Sequence, residues 1–201
     1  MGHRIFVLGG AGNMGSELTR ALLRFPEVER IAIGELNRDA AERLAGELND
    51  PRVHVLPIDV TRIEESAAQV RGYDVLMNAT FFGFFEAAIR VACCAQVNYA
   101  DLISEPSAEQ IALVHQSGIT AVSGLGCTPG LSNVLARHGS NQFEETQEIH
   151  IHWASFRTVA PSQGLLDTII WELAAACPTR QYYLNGHFRV VPPFHGSKLV
   201  R

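Results

Sequence analysis

Lysine is almost absent from this chain of 201 residues, and the single one is Lys198. A lysine Schiff base or a P-loop lysine therefore has no residue to supply it earlier in the sequence. The Tyr-x-x-x-Lys pair of short-chain dehydrogenases is missing too. The residues four positions after the tyrosines are Met77, Ile103, Gly186 and His187. Three classes of enzyme site are thus excluded.

Excess positive charge and long apolar runs are also lacking. The net charge is −5 and the isoelectric point is near 5.9, so no basic footprint for nucleic acid exists. No apolar stretch approaches the length of a membrane span, and the N-terminus lacks a signal-peptide layout. We therefore expect neither nucleic acid nor membrane as a partner.

Metal-ligand and disulfide patterns are absent as well. Cys93, Cys94, Cys127 and Cys177 show no Cys-x-x-Cys spacing, which is typical of reduced thiols in a cytoplasmic protein. His150 and His152 share a predicted strand face, but no carboxylate or thiol stands near them at ligand spacing. No metal site is expected.

A glycine-rich segment, Gly10-Ala11-Gly12-Asn13-Met14-Gly15, directly follows an apolar run and opens a helical pattern. In a Gly-x-Gly-x-x-Gly turn the first glycine permits the sharp bend, the second admits a pyrophosphate, and the third lets the helix approach the strand. The helix start would offer its N–H groups to the phosphates. We therefore predict that Gly10, Gly12, Asn13, Met14 and Gly15 bind a dinucleotide. The expected apolar helix face consists of Met14, Leu18, Ala21, Leu22 and Phe25.

Glu35 stands twenty residues after Gly15, at the end of a second apolar run. A carboxylate at this position accepts hydrogen bonds from the adenosine ribose, so Glu35, Leu36 and Asn37 are predicted cofactor contacts. A carboxylate repels a 2′-phosphate, which favours NAD over NADP. Arg38 would offset this if its side chain turned inward, so NADP stays open as the second choice.

Strand and helix patterns alternate up to about residue 139, which predicts an α/β fold: a Rossmann doubly wound parallel sheet in residues 1–139. Asn37, Thr61 and Ser107 are predicted helix caps, the last two in capping boxes. The predicted strands are residues 3–8, 30–35, 53–58, 74–79, 97–101 and 119–124.

Ligands of such sheets lie outside the carboxyl ends of the strands. Asp59 and Val60 follow the third strand, where Asp59 either meets the adenine edge or is an exposed turn acid. The fourth strand is followed by three further predicted cofactor contacts, Ala79, Thr80 and Phe81; the alternative is an aromatic helix start.

Tyr99 and Asp101 lie at the end of the fifth predicted strand, and Cys127 follows the sixth. Pro129 suits the first turn of a helix whose start could receive a nicotinamide or a substrate carboxylate. The alternative is a plain strand-to-helix turn.

The register changes after residue 139, and residues 140–201 are predicted to be part of an α+β domain. We expect a strand at residues 148–153, a helix at 165–176 and a hairpin around Asn185-Gly186. So small a piece buries too little surface to stand alone, so it should lean on the first domain, on another chain, or on residues that this chain does not have. An exposed apolar sheet face or edge in this piece would favour a homodimer.

The sequence resembles the saccharopine dehydrogenase-like group, closest to its bacterial and archaeal lysine dehydrogenase branch. The segments that carry the resemblance are residues 7–15, 33–37, 98–102, 126–133, 162–167 and 190–193. The resemblance implies hydride transfer between a nicotinamide cofactor and the carbon of an amino-acid C–N bond, through an imine. It places Tyr99, Asp101 and Cys127 beside the nicotinamide and the amino-acid substrate, as the candidate catalytic residues.

The resemblance also implies a longer chain, because relatives continue well beyond a point such as Lys198. Residues 140–201 would then be the opening of a substrate or dimerisation domain, in a truncated form or a shortened natural variant. Two functions follow: an NAD(P)-dependent oxidoreductase acting on an amino acid, or a non-catalytic dinucleotide-binding homologue with an association role.

Overall fold

A computed structural model describes residues 2–102, 106–151, 166, 170 and 181–190 of the chain. The chain divides into two compact units, Met1–Phe156 and Arg157–Arg201, and each is described by itself. The predicted division at residue 139 into a nucleotide domain and part of a substrate domain stays a prediction.

Strands and helices alternate in the first unit. The strands are β1 (His3–Leu8), β2 (Val28–Glu35), β3 (Val53–Pro57), β4 (Val75–Asn78), β5 (Asn98–Asp101) and β6 (Ala121–Val122). The helices are α1 (Asn13–Leu22), α2 (Arg38–Leu48), α3 (Ile63–Val70), α4 (Phe85–Ala95), α5 (Ala108–Ser117) and α6 (Leu131–Ser140), and a short 3-10 helix (Phe82–Phe84) precedes α4.

The six strands form one parallel sheet in the order β3-β2-β1-β4-β5-β6. The direction of winding reverses between β1 and β4, and ligands of this fold bind at that reversal. The predicted α/β fold with a Rossmann parallel sheet is confirmed.

The core lies on both faces of the central strands. Phe6 of β1 packs with β4, α3 and α4, whereas Val7 of β1 packs on the opposite face with Ile31 and the end of α1. Both side chains are fully buried. Burial on both faces explains why β1 and β2 read as continuous apolar runs.

Arg52, just before β3, fastens the connection between α1 and β2. Its guanidinium binds Asp50 at 2.8 Å and donates to the carbonyl oxygens of Leu23, Phe25 and Val28 at 2.9–3.2 Å. The hydrogen bond from Arg52 lowers the pKa of Asp50 to about 2. This connection is therefore held by side-chain hydrogen bonds as well as by apolar packing.

Two of the three predicted helix caps are confirmed. The Asn37 side chain accepts from the Ala40 amide, and Ser107 forms its capping box with Gln110. The capping box at Thr61 is wrong, because the Thr61 hydroxyl donates to Asp59 at 2.6 Å and the N-cap position of α3 is Arg62. The helix begins one residue later than predicted, and Thr61 belongs to the turn before it, where Asp59 accepts from both its amide and its hydroxyl.

The predicted apolar face of α1 is partly wrong. Met14 is 58% exposed and Phe25 is 50% exposed, whereas the buried residues of the helix are Gly15, Thr19 and Leu22. Gly15 packs against Gly9 and Gly10 of the loop after β1, and Thr19, one turn further along the helix, lies on the same buried face. The Thr19 hydroxyl is satisfied there by the Gly15 carbonyl at 2.8 Å.

In the second unit, an antiparallel hairpin joins β7 (Gln181–Leu184) to β8 (His187–Val190). Asn185 and Gly186 have φ of 51° and 80°, as a type I′ turn requires, so the predicted hairpin is confirmed. In the first unit, residues 148–151 form no strand, so the expectation for that part of 148–153 is wrong. The helix predicted at 165–176 lies outside the described residues, apart from helical positions 166 and 170. None of the helices among the described residues has the length and apolarity needed to cross a membrane.

Candidate functional site

In the glycine loop between β1 and α1, packing within the chain requires glycine at position 15 but not at position 12. A Cβ at Gly15 would collide with the Gly9 carbonyl oxygen and would lie 2.7 Å from the Gly10 Cα atom. Gly15 is therefore required by the packing of α1 on the loop. Gly12 has an ordinary φ of −67°, and a Cβ there would meet only the Gly9 carbonyl oxygen, at 3.2 Å. The chain itself barely restricts position 12, so its open side is available to a ligand.

The start of α1 faces that open side with unpaired donors. Within the described part of the chain, the N–H groups of Asn13, Met14 and Gly15 have no acceptor. No described side chain caps the helix, and its first turn holds no acidic residue. Unpaired N–H groups at the positive end of a helix dipole are suited to phosphate.

Glu35 closes the site on the β2 side. Its carboxylate accepts from the amides of Leu36 at 3.0 Å, Ala11 at 3.4 Å and Asn37 at 3.5 Å. The acid is thus fixed at the rim of the glycine loop. Next to it, the Arg38 guanidinium binds Glu42 at 2.7 Å on the exposed side of α2.

The loop after β4 forms the other wall. A Cβ at Gly9 would lie 3.0 Å from the Thr80 methyl carbon and 3.2 Å from the Ala79 carbonyl carbon, so the two loops touch. The Phe81 ring lies with its centroid 4.1 Å from that of Phe82. The structure therefore brings Ala79 and Thr80 together with the glycine loop, at the point where the winding of the sheet reverses.

Asp59 and Val60 lie after β3, and their side chains have internal partners. The Asp59 carboxylate accepts from the Thr61 amide at 3.0 Å and from the Thr61 hydroxyl, and these hydrogen bonds lower the pKa of Asp59. The Val60 side chain is 7% exposed and belongs to the core. Val60 could meet a ligand only through its backbone. Cofactor contact by Asp59 or by Val60 stays a prediction.

A buried row of polar side chains lies beneath the ends of β4, β5 and β6. The Asn78 amide donates to the Tyr99 hydroxyl at 3.0 Å, and Tyr99 lies two residues before Asp101 in β5, on the same face of the strand. Asp101 accepts from the Ser123 hydroxyl and the Gly124 amide, both at 3.3 Å. Tyr99 is 2% exposed and Asp101 is 3% exposed. Burial, followed by the charge of Asp101, raises the pKa of Tyr99, so its phenol stays protonated.

The family resemblance implied that Tyr99 and Asp101 lie beside the substrate, and no role was predicted for Asn78. The structure encloses both side chains in the protein, and their catalytic roles stay predictions. Asn78 could have been found, because a polar residue at the end of an apolar strand needs a buried partner. It stands opposite Asp101 in the register of β4 and β5.

Cys127 is exposed in the loop before α6. The amides of Leu131, Ser132 and Asn133 at the helix start donate to the carbonyls of Gly126, Cys127 and Gly130. The donors at this start are already paired, which favours the alternative of a plain strand-to-helix turn; ligand binding at this start stays a prediction. Pro129 precedes the helix and is not in its first turn, since α6 begins at Leu131 with Gly130 as N-cap.

No group of three or more His, Cys, Asp or Glu side chains that could hold a metal ion occurs among the described residues. The open side of Gly12, the unpaired amides of α1 and the fixed carboxylate of Glu35 fit an adenine dinucleotide. Its pyrophosphate would lie at the helix start and its adenosine ribose at Glu35.

Comparison with known proteins agrees with this geometry. Residues 5–122 match the family model described as the saccharopine dehydrogenase NADP binding domain. Apo saccharopine dehydrogenase (L-Glu forming) from Saccharomyces cerevisiae is similar in fold, with a TM-score of 0.60 and 17% identity over 70% of this chain. The chain covers 31% of that enzyme.

A dTDP-glucose 4,6-dehydratase from Streptomyces venezuelae matches at a TM-score of 0.45 with 20% identity, over 60% of this chain and 54% of that one. An NADPH-dependent quinone oxidoreductase from Escherichia coli matches at a TM-score of 0.46 with 18% identity, over 67% and 53%. Because the family model matches more than half of its residues, the chain belongs to the saccharopine dehydrogenase family and contains that family's NAD(P)-binding domain.

Proposed function

We propose that this chain binds NAD in the crevice between β1 and β4 and serves in the oxidation or reduction of an amino-acid C–N bond. The observation that carries the proposal is the open side of Gly12, which faces unpaired amides of α1 next to the carboxylate of Glu35. The adenosine half would lie over β1 and β2, and the nicotinamide half over β4 to β6.

The preference for NAD rests on the charge at Glu35. At an effective dielectric constant of about 20, a carboxylate and a phosphate charge about 4 Å apart repel by roughly 4 kcal/mol. Arg38 would offset this repulsion, but its guanidinium is engaged by Glu42. The family's description names NADP, whereas these two side chains favour the cofactor with a free 2′-hydroxyl.

Glu35→Ser tests the preference. We expect the ratio of NADPH to NADH dissociation constants to fall at least tenfold, since removing the charge removes much of the roughly 4 kcal/mol repulsion. Glu47→Ser is the matched control, because Glu47 is an exposed acid near the far end of α2. A ratio that is the same in wild type and Glu35→Ser would contradict the assignment.

The proposed reaction follows from membership of the family. A hydride would leave the carbon of a neutral amine, which becomes an iminium, and loss of the N–H proton to solvent would give the imine; a bound nicotinamide would supply the hydride acceptor. In this chain, the buried Asp101 would act by holding the Ser123–Gly124 segment, and the exposed Cys127 would lie toward the substrate. Reduction of NAD followed by absorbance, with lysine or saccharopine added, tests the activity; no turnover with these and related diamino acids would refute it for this chain.

The burial of Tyr99 and Asp101 favours a second candidate, dinucleotide binding without catalysis. Neither side chain reaches the surface of the described part of the chain. Association would then be its role, supported by exposed apolar residues of α6: Leu131, Val134 and Leu135. If the chain is non-catalytic, we expect NADH to bind in calorimetry without turnover. We also expect light scattering to give a dimeric mass. A monomeric mass would contradict the association role.

A further inference from the structure

The polar row beneath β4, β5 and β6 connects two loops that are far apart in the sequence. At one end, Asn78 Oδ1 accepts from the Thr80 amide at 3.1 Å and from the Thr80 hydroxyl at 2.7 Å. At the other end, Asp101 accepts from Ser123 and Gly124, and its backbone carbonyl accepts from the Leu125 amide at 2.9 Å. Tyr99 and Asp101 are two residues apart in β5, so this strand joins the two ends.

We propose that Asn78, Tyr99 and Asp101 are positioning residues that set the spacing between the loop after β4 and the loop after β6. Through this spacing they fix the half of the crevice that receives the nicotinamide. The inference rests on the proposed function, because it assumes that a dinucleotide occupies the crevice.

Burial makes this row rigid. Asn78, Tyr99 and Asp101 are each at most 3% exposed, so water cannot replace a partner that is removed. Each bond has a fixed donor and acceptor. The Asn78 amide donates to the Tyr99 hydroxyl on the β4 side of β5, and the Asp101 carboxylate accepts from the Gly124 amide on the β6 side. A buried polar group left without its partner is unfavourable, so the loops are held in one arrangement.

Among the described residues, the row makes no hydrogen bond to the adenosine half of the proposed site and meets the glycine loop only at Gly9, on the β4 side. Thr80 touches the glycine loop at Gly9, and Gly126 lies in the loop after β6, next to the carbonyl of Leu102. The groups proposed for the adenosine half, Gly12 and Glu35, make no hydrogen bond with the row among the described residues. Loss of the row should therefore weaken the nicotinamide half selectively.

Tyr99→Phe is the test, since it removes the central hydroxyl and keeps the ring that packs in the core. Dissociation constants for NADH and for ADP-ribose, which lacks the nicotinamide, are measured on the full chain by calorimetry. We expect NADH to bind about tenfold more weakly and ADP-ribose to change by less than about twofold. Tyr73→Phe is the matched control, because Tyr73 precedes β4 and packs its ring against Phe6 away from the crevice. It should leave both constants unchanged.

Binding of ADP-ribose also reports that a variant is folded. If Tyr99→Phe does not fold, Ser123→Ala removes a donor to Asp101 at the edge of the sheet and should shift the same ratio in the same direction. Equal weakening of both ligands, or no change in either, would overturn the positioning role while leaving the proposed function intact. Wild-type protein that binds neither ligand would overturn the proposed function, and the inference with it.

Discussion

A methyl group at position 12 would point into the open side of the glycine loop. In Gly12→Ala the new Cβ meets only the Gly9 carbonyl oxygen, at 3.2 Å, and the φ of −67° suits any residue. Alanine is a poorer N-cap than glycine, so we expect the free energy of unfolding to fall by no more than about 1 kcal/mol. Folding should therefore survive the change.

Cofactor binding should not survive it. The methyl group would hold the pyrophosphate away from the amides of α1. Two weakened hydrogen bonds to a charged group, at about 1.5 kcal/mol each, amount to roughly 3 kcal/mol or a hundredfold rise in the dissociation constant. Calorimetric titration with NADH, paired with urea denaturation of the same samples, measures both quantities.

Alanine substitutions at two other glycines serve as comparisons for Gly12→Ala. Gly15→Ala puts its Cβ against the backbone of Gly9 and Gly10, so it should lower the free energy of unfolding by roughly 2 kcal/mol or more. Gly46→Ala lies within α2 with nothing near its Cβ, so it should raise that free energy by about 0.5–1 kcal/mol and leave binding unchanged. NADH binding by Gly12→Ala at wild-type affinity would refute the assignment of the phosphate site.

Three further predictions concern stability. Arg52→Ala should lower the urea midpoint, because three backbone carbonyls lose their donor, whereas Arg62→Ala, an exposed side chain, should leave it unchanged. Since Arg52 lowers the pKa of Asp50 to about 2, the charged pair stabilises the fold above the ordinary carboxyl pKa, and this contribution should disappear as the pH falls from about 4 to about 2. A pH series of urea midpoints should show a larger loss in wild type than in Arg52→Ala, which keeps only the backbone amide bonded to Asp50. Ser107→Ala removes the capping box of α5 and should cost about 1 kcal/mol, measured by urea denaturation against wild type.

The parts of the fold that the sequence predicts well depend on local signals. The bounds of β1 agree with the prediction, because a run buried on both faces ends at a glycine turn. Asn37 and Ser107 cap their helices, and Asn185-Gly186 forms its turn, because each needs only neighbours within a few residues. The glycine loop and Glu35 meet as expected, since parallel strands bring their carboxyl ends to one edge.

The parts that the sequence does not predict depend on contacts between distant segments. Thr61 cannot be separated from a true capping residue without knowing that Asp59 turns toward it. The paired amides at the start of α6 require the path of the loop from residue 124 to 130. Tyr99 and Asp101 lie on one face of β5, but only the tertiary structure shows that Asn78 and Ser123 enclose them.

The way Glu35 is held has a consequence for anyone who wishes to redesign this chain. The same carboxylate that would select the sugar also ties the amide of Ala11 to the end of β2. Replacing Glu35 with a neutral residue would remove the repulsion of the 2′-phosphate of NADP and would also loosen the glycine loop. A single replacement should therefore broaden the selectivity and lower the affinity for both NAD and NADP. A productive switch would need a companion change that gives Ala11 a new acceptor.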